Sequence, residues 1–297
     1  PILFLLYIND IKNSSTIINY ILFADDTSTF LTGKTIDEIE EKYNSELENV
    51  VKWLNANKLS LNVDKSNVVV FSKNRQRNIR PIKLKINKEN IEEKEFTKYL
   101  GVLIDNKLSW KKHICHVNLK ITKGRGVLTK LRQYVSKETL RNLYFAFIQP
   151  HIDYCNVLWG NATKHNLKCV KKNMEKTLRT MLFKKYNDPS EPLFKELKIL
   201  NLENVINMAV AVFMWKVTKD KVPASIQNLF HRRERFFGED NCKYHIPNVR
   251  LDITKRCITY QGPKLWNRIL FETRKLNTLK TFKNKLKSSI DRMINIL

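Results

Sequence analysis

The chain has 297 residues, 42% hydrophobic and 28% charged, enough to bury one large core or two smaller ones and too apolar for disorder. Lys and Arg number 54 against 29 Asp and Glu, a net charge of +25, which points to a polyanionic partner, nucleic acid before an anionic membrane surface. Five cysteines without paired spacing argue against a disulfide framework and for a reducing compartment, and no run reaches the ~18 apolar residues of a membrane span.

Pro1–Ile8 is a short apolar run, and Pro1–Ile11 predicts a buried helix. It has neither a basic leader nor a small-residue cleavage site, so it does not read as a signal peptide, and a first residue of Pro suggests a fragment. Asn13–Thr16 is a polar loop, Asn19–Phe23 a strand, Ala24–Asp26 a tight turn and Thr27–Leu31 a returning strand. This places two adjacent carboxylates, Asp25 and Asp26, at a hairpin tip after a run that should be buried. Two anions about 4 Å apart repel by roughly 1 kcal/mol in water and by about 4 kcal/mol at an effective dielectric of 20. A half-buried pair therefore calls for cations, and Mg²⁺ held by carboxylates, two ions clamping the attacking and leaving oxygens, is the usual solution in polymerases.

Thr35 with Glu38 forms a capping-box pair, and Ile36, Ile39, Tyr43, Leu47, Val50, Val51 and Leu54 follow helical spacing until Asn55 and Asn57. Leu59–Val63 leads through Asp64-Lys65-Ser66 to a strand over Asn67–Phe71, and Lys73–Arg80 is a basic turn. Pro81–Ile86 alternates apolar residues with Lys as an exposed-face strand does, and Tyr99–Ile104 is a further strand. Beyond Trp110 the pattern is helical. One helix carries Ile114, Val117, Ile121, Leu128 and Leu131, loosened by Gly124 and Gly126; Ser136 caps a second, ended by Pro150. A third follows Thr163, with Lys168, Lys171, Lys172, Lys176 and Arg179 on the face away from its apolar stripe, suited to water or to a phosphate backbone. Asp188-Pro189-Ser190-Glu191-Pro192 is the best boundary; then come an apolar helix over Val205–Val217, a basic loop over His231–Gly238 with Phe236 and Phe237, and a basic amphipathic helix over Thr278–Ile296. Cys242 and His245, with His231 and Cys257 nearby, admit a zinc site, but the spacing is loose and surface side chains explain it better. Mixed strands and helices without βαβ alternation give an α+β fold class.

The order of these pieces resembles the reverse transcriptase of non-LTR, jockey-like retrotransposons. Pro1–Asp10 looks like the tail of that family's template-gripping motif, Phe23-Ala24-Asp25-Asp26 matches its catalytic motif, and Trp53-Leu54 with Asn57–Ser66 resembles the motif that follows. Tyr99-Leu100-Gly101-Val102 resembles its primer grip, and Tyr260-Gln261-Gly262-Pro263-Lys264-Leu265-Trp266-Asn267 a sequence found near the end of such reading frames.

The resemblance implies a partial polymerase palm over residues 1–110, an antiparallel sheet with packed helices. It also implies a helical thumb-like region over 111–188 and a mainly helical C-terminal extension over 189–297. Asp25 would bind catalytic Mg²⁺ and Asp26 would support it; Phe23 and Ala24 would lie under the primer terminus. Lys65 would donate a proton to leaving pyrophosphate if desolvation or a neighbouring cation made it acidic enough, and a turn lysine explains it equally well. Tyr99, Leu100 and Gly101 would grip the primer. The partners would be an RNA template and a DNA primer in the nucleus or cytoplasm, with no membrane and no evident protein partner. The family's further metal-binding Asp and its nucleotide-sugar gate lie upstream of the motif in which this chain begins. The expectation is therefore that these residues alone do not catalyse nucleotidyl transfer. The competing readings are a catalytically dead nucleic-acid-binding relic or domesticated protein, a metal-dependent nuclease, for which no spaced cluster of acids or histidines is evident, and an interaction module with an aggregation-prone patch at Pro1–Ile8.

Overall fold

Local signals account for most elements of the structure, a computed structural model that describes residues 2–72, 80–87, 89–233 and 243–293. The chain divides into two units, Pro1–Lys107 and Leu108–Leu297. The first is α+β and the second is almost wholly helical.

In the first unit, α1 (Ile2–Ile8) runs into a 3-10 turn over Asn9–Ser14. The expectation of a buried helix fails here: Ile8 is buried, whereas Ile2, Leu3, Leu5, Leu6 and Tyr7 are exposed, so most of this apolar run faces outward. Strand β1 (Asn19–Phe23) pairs antiparallel with β2 (Asp26–Phe30), and Phe23 stands opposite Asp26. Helix α2 (Ile36–Ala56) starts at Thr35, whose hydroxyl accepts the Glu38 N–H at 3.2 Å. The Glu38 carboxylate accepts from Lys34 N–H at 2.9 Å, one residue before the position a reciprocal capping box uses. At the other end the Asn57 amide donates to the Trp53 carbonyl at 2.9 Å. Val50 and Leu54 pack with Ile8 and Ile11, and Leu47 packs with Ile82, Leu84 and Ile86, giving two small cores along one helix.

The strands after α2 are shorter than the sequence predicts. Only β3 (Asn67–Val68) forms where Asn67–Phe71 was expected, and it pairs parallel with β6 (Glu92–Glu93). Strand β4 (Lys85–Ile86) pairs antiparallel with β5 (Glu89–Asn90). Over 81–86 the alternation holds, with Ile82, Leu84 and Ile86 buried and Lys83 and Lys85 exposed. Besides the pairing of Lys85–Ile86 with β5, side chains, two of them from α2, satisfy this backbone. Asn44 donates to the Lys83 carbonyl at 3.0 Å and accepts from Lys85 N–H at 2.9 Å; Glu40 accepts from Lys83 N–H at 2.9 Å, and Glu93 from Ile82 N–H at 2.8 Å. The expected strand over Tyr99–Ile104 is in fact a hairpin, β7 (Phe96–Tyr99) and β8 (Val102–Asp105), turning at Leu100 and Gly101 with φ of 44° and 83°. Two consecutive left-handed residues suit a two-residue hairpin loop, where Gly is at ease and Leu is not. The basic turn predicted over Lys73–Arg80 lies largely outside the described residues.

The second unit opens with α3 (Lys111–Leu131), α4 (Lys137–Phe147), α5 (Gln149–Asp153) and α6 (Asn156–Trp159), followed by α7 (Lys164–Met181), α8 (Glu191–Glu196) and α9 (Leu202–Thr218). Ser136 caps as the sequence predicts, accepting from Thr139 N–H, and Thr163, after which a helix was expected, caps α7 by accepting from Asn166 N–H. Gly124 does not loosen α3. A Cβ there would stand 2.7 Å from Ile148 and 3.1 Å from the Phe147 carbonyl, so its bareness permits close packing. One core runs from Ile114 to Val210 and draws on side chains from both sides of Asp188–Pro192. Short helices α10 (Ala224–Gln227), α11 (Asp252–Lys255) and α13 (Phe271–Arg274) accompany α12 (Ile258–Trp266) and α14 (Leu279–Met293). A second core joins α9, α12 and α14 through Met214, Trp215, Trp266 and Phe282.

Candidate functional site

The hairpin turn holds the carboxylates. Ala24 takes φ 52° and Asp25 completes a two-residue turn, leaving Asp26 as the first residue of β2, one place earlier than predicted. Tyr20 and Leu22 pack toward Ile8, Ile11, Val50 and Leu54, while Ile21 and Phe23 on the other face are exposed. Phe23, Ala24, Asp25 and Asp26 are all exposed, and Phe23 keeps 59% of its surface in contact with solvent. The half-buried pair expected from sequence is thus an exposed one, and water screens its repulsion without an obligatory cation.

The donor atoms suit Mg²⁺, a hard cation that prefers carboxylate oxygen, but their number does not suit a two-ion site. Among the described residues no group of three His, Cys, Asp or Glu comes together to hold a metal ion. The pair alone is an incomplete donor set. Of the suggested zinc ligands, Cys242 lies outside the described residues, and the described ones, His231, His245 and Cys257, form no such group.

Lys65 ends a 3-10 turn, Val63–Lys65, with its N–H donated to Asn62 Oδ1 at 3.1 Å. Its side chain is exposed, so this unit by itself does not desolvate it. Tyr99 and Leu100 are half-buried on their hairpin, with Gly101 exposed beside them.

In the second unit, Lys168, Lys171, Lys172 and Lys176 are exposed along α7, with Lys176 Nζ 5.9 Å from the centre of the Tyr186 ring. Arg179 differs: it is half-buried, and its Nε donates to the Asp188 carbonyl at 2.9 Å, tying down the following loop. On the buried face of α7, Asn173 donates to the Asn118 carbonyl at 3.0 Å and to Thr122 Oγ1 at 2.8 Å, and accepts from Arg125 Nη1 at 2.7 Å. This polar clasp fixes α7 against α3. Its only sequence signal is an Asn next to Met174 in the apolar stripe. Nearby on α3, buried His113 stands edge-on to Trp159, and burial, with the charge of His116 adding to it, pushes its pKa down to about 4.

Charge divides sharply between the units. Residues 1–107 hold 16 Lys and Arg against 15 Asp and Glu, whereas residues 108–297 hold 38 against 14.

The chain is similar to three proteins of mobile elements. It is 22% identical over 215 residues to the probable RNA-directed DNA polymerase from transposon X-element of Drosophila melanogaster, a match covering 70% of this chain and 23% of that protein. It is 26% identical over 178 residues to the retrovirus-related Pol polyprotein from type-1 retrotransposable element R1 2 of Nasonia vitripennis, covering 56% and 42%. It is 23% identical over 196 residues to the RNA-directed DNA polymerase from mobile element jockey of Drosophila melanogaster, covering 65% and 21%. The chain therefore spans less than half the length of each of these relatives. No family model and no solved structure matches it. The chain is a distant relative of the RNA-directed DNA polymerases of non-LTR retrotransposons.

Proposed function

We propose that this chain is the palm-to-C-terminal part of an RNA-directed DNA polymerase of a non-LTR retrotransposon. Residues 1–110 are read as part of the palm, 111–188 as a thumb-like region and 189–297 as a C-terminal extension. The observation that carries this reading is the Phe23-Ala24-Asp25-Asp26 turn, which presents both carboxylates to solvent at the tip of a hairpin that Tyr20 and Leu22 anchor to a small core. The distant relationship to polymerases supports it. Asp25 is assigned to metal binding and Asp26 to its support. Phe23 and Ala24 are assigned to the surface under the primer terminus, and Tyr99, Leu100 and Gly101 to the primer grip.

The exposed lysines of α7, Lys168, Lys171, Lys172 and Lys176, track the phosphates of an RNA template and a DNA primer, with Arg179 holding the adjoining loop. Lys65 is the candidate proton donor to pyrophosphate once substrate covers it. The reaction is attack of a primer 3′-OH on the α-phosphate of a nucleotide, forming a P–O bond and releasing pyrophosphate, in the nucleus or cytoplasm. Because Asp25 and Asp26 are an incomplete donor set for Mg²⁺, no step is assigned to that ion, and the chain by itself does not catalyse the reaction.

A primer-extension assay on oligo(dT)/poly(rA) with Mg²⁺ tests this: no extension is expected, and robust extension by these residues refutes it. A second reading, a nucleic-acid-binding relic or domesticated protein, is favoured by the concentration of positive charge in the unit that lacks the carboxylate hairpin. Genomic sequence preceding the Pro1 codon separates the two, an in-frame metal-binding Asp favouring the enzyme and stop codons favouring the relic.

A further inference from the structure

Helices α3 and α7 each carry a cysteine in the stretch where side-chain hydrogen bonds tie them together. At one end of that stretch Asn166 Nδ2 donates to the Ser109 carbonyl, just before α3, at 3.1 Å. At the other end Asn173 Nδ2 donates to the Asn118 carbonyl and to Asn118 Oδ1, both at 3.0 Å. Cys115 lies between Ser109 and Asn118, and Cys169 lies between Asn166 and Asn173, so the two segments run in the same direction with one thiol on each.

Helical spacing turns both thiols toward this seam. Cys115 precedes Asn118 by three residues and Thr122 by seven, and Thr122 Oγ1 also accepts from Asn173, at 2.8 Å. Cys169 follows Asn166 by three residues and precedes Asn173 by four. Residues so spaced share one face of a helix. An asparagine side chain is short, so its bond to a main-chain carbonyl of the other helix requires the two backbones to be close. Closeness is also what a disulfide demands, with Cα atoms no more than about 7 Å apart.

Both cysteines are free thiols, Cys115 exposed and Cys169 half-buried. The Cys169 thiol donates to the Asn166 carbonyl at 3.2 Å. Burial pushes its pKa up, a hydrogen bond from the Val170 backbone opposes that, and the charge of Cys115 raises it further, so the two thiols are in electrostatic reach of each other. Cys155 and Cys257, the other described cysteines, stand before α6 and α12 and lie on neither helix of this seam.

We propose that Cys115 and Cys169 are a reversible oxidation site, closing to a disulfide that staples α3 to α7. The oxidant is hydrogen peroxide. The Cys115 thiolate attacks one peroxide oxygen; the S–O bond forms as the O–O bond breaks, leaving a sulfenic acid, and the departing hydroxide takes the thiol proton as water. The Cys169 sulfur then attacks the sulfenic sulfur, and the hydroxide expelled leaves as a second water with the Cys169 proton. Two thiols and one peroxide become one disulfide and two waters, the sulfurs giving up two electrons that the peroxide accepts. A thiol reductant reverses the bond, so in a reducing compartment the pair rests open and closes only transiently. The staple holds the helix that carries Lys168, Lys171, Lys172 and Lys176 and needs no polymerase chemistry.

The test is peptide mapping of the full chain, reduced, treated with hydrogen peroxide, alkylated and cut with trypsin. One cross-linked pair is expected, His113–Lys120 joined to Cys169–Lys171, which dithiothreitol separates, with free thiols falling from five to three. The oxidised chain should melt higher than the reduced one, by about 5 °C. Cys169→Ser should lose both the cross-link and the rise, and Cys257→Ser should keep them. The map is made on the wild type, so the proposal does not depend on either variant folding. Recovery of Cys115 only as a sulfinic acid, in disulfide-linked dimers or joined to another cysteine overturns the proposal. So does a pair that forms only after unfolding in urea, or a cross-linked chain that melts no higher than the reduced one.

Discussion

The two units of this chain are built by different means and carry opposite halves of the candidate chemistry. The first is close to electroneutral, holds the Asp25–Asp26 hairpin and rests on small cores strung along α2, with the backbone of Lys83 and Lys85 satisfied by the Asn44 and Glu40 side chains. The second carries nearly all the net charge and closes over fully buried Trp159, Trp215 and Trp266. A unit with a deep core tolerates a crowded, self-repelling surface, because burial supplies stabilisation that the repulsion removes only in part. A unit with shallow cores and exposed Ile21, Phe23 and Phe30 leaves apolar surface open beside its carboxylates. Excess positive charge and presentation of acids are thus separated along the sequence.

Core truncation should break this contrast most visibly. Trp266 is fully buried beside Phe282, their ring centres 5.9 Å apart. Trp266→Ala should cost about 3–5 kcal/mol in urea unfolding, against about 1 kcal/mol for Leu22→Ala, which sits half-buried in the first unit. Equal losses would mean that the two cores are energetically alike.

Much of this arrangement was legible in the residues, and the failures share a cause. Thr35, Ser136 and Thr163 announce their helices because an N-cap is a local hydrogen bond, complete within four residues. The hairpin around Ala24 and Asp25 was legible for the same reason, to within one residue. Burial was not. Nothing in Ile2, Leu3, Leu5, Leu6 or Tyr7 says that these side chains stay exposed, since that depends on what packs against them, and the same holds for the exposed faces of Ile21 and Phe23. The segment 81–86 reads as a strand because its alternation is real, but only Lys85–Ile86 pairs with a strand, and Lys83 and Lys85 are held by Glu40 and Asn44, side chains 43 and 41 residues away. The Leu100–Gly101 turn was hidden because Leu is a poor signal for a left-handed residue, and Asn173 because a buried Asn is identified only by its partners. For the candidate site, residue identity was readable in the sequence and the electrostatic setting was not.

Acidification sharpens the same comparison within the basic unit. The folded pKa of His113 lies near 4, below the value of about 6.5 for an unfolded histidine. Between those values the unfolded chain binds a proton that the folded chain does not, so this residue's contribution is complete above pH 6.5 and is lost as pH falls toward 4. The loss is about 3 kcal/mol in total. It should appear as a difference between wild type and His113→Leu in urea midpoints measured at pH 7, 5.5 and 4.5, with the wild type losing more. A constant difference across these pH values would remove buried His113 as the cause.

The smallest effect is expected at the carboxylates, and it bears most directly on function. Asp25 and Asp26 are exposed, so Asp25→Asn with Asp26→Asn should change stability by no more than about 0.5 kcal/mol. Magnesium makes the measurement discriminating. An ion bound by the folded chain stabilises it by RT ln(1 + [L]/Kd), about 0.2 kcal/mol when 5 mM ion meets a Kd near 10 mM and about 2.7 kcal/mol at a hundredfold excess over Kd. An incomplete donor set belongs at the weak end. The melting temperature should therefore be almost unmoved by 5 mM Mg²⁺ in both the wild type and the double variant. A clear rise in the wild type that the Asn variant lacks would show that this hairpin holds the ion without help from a further carboxylate, and the expectation of inactivity would lose its basis.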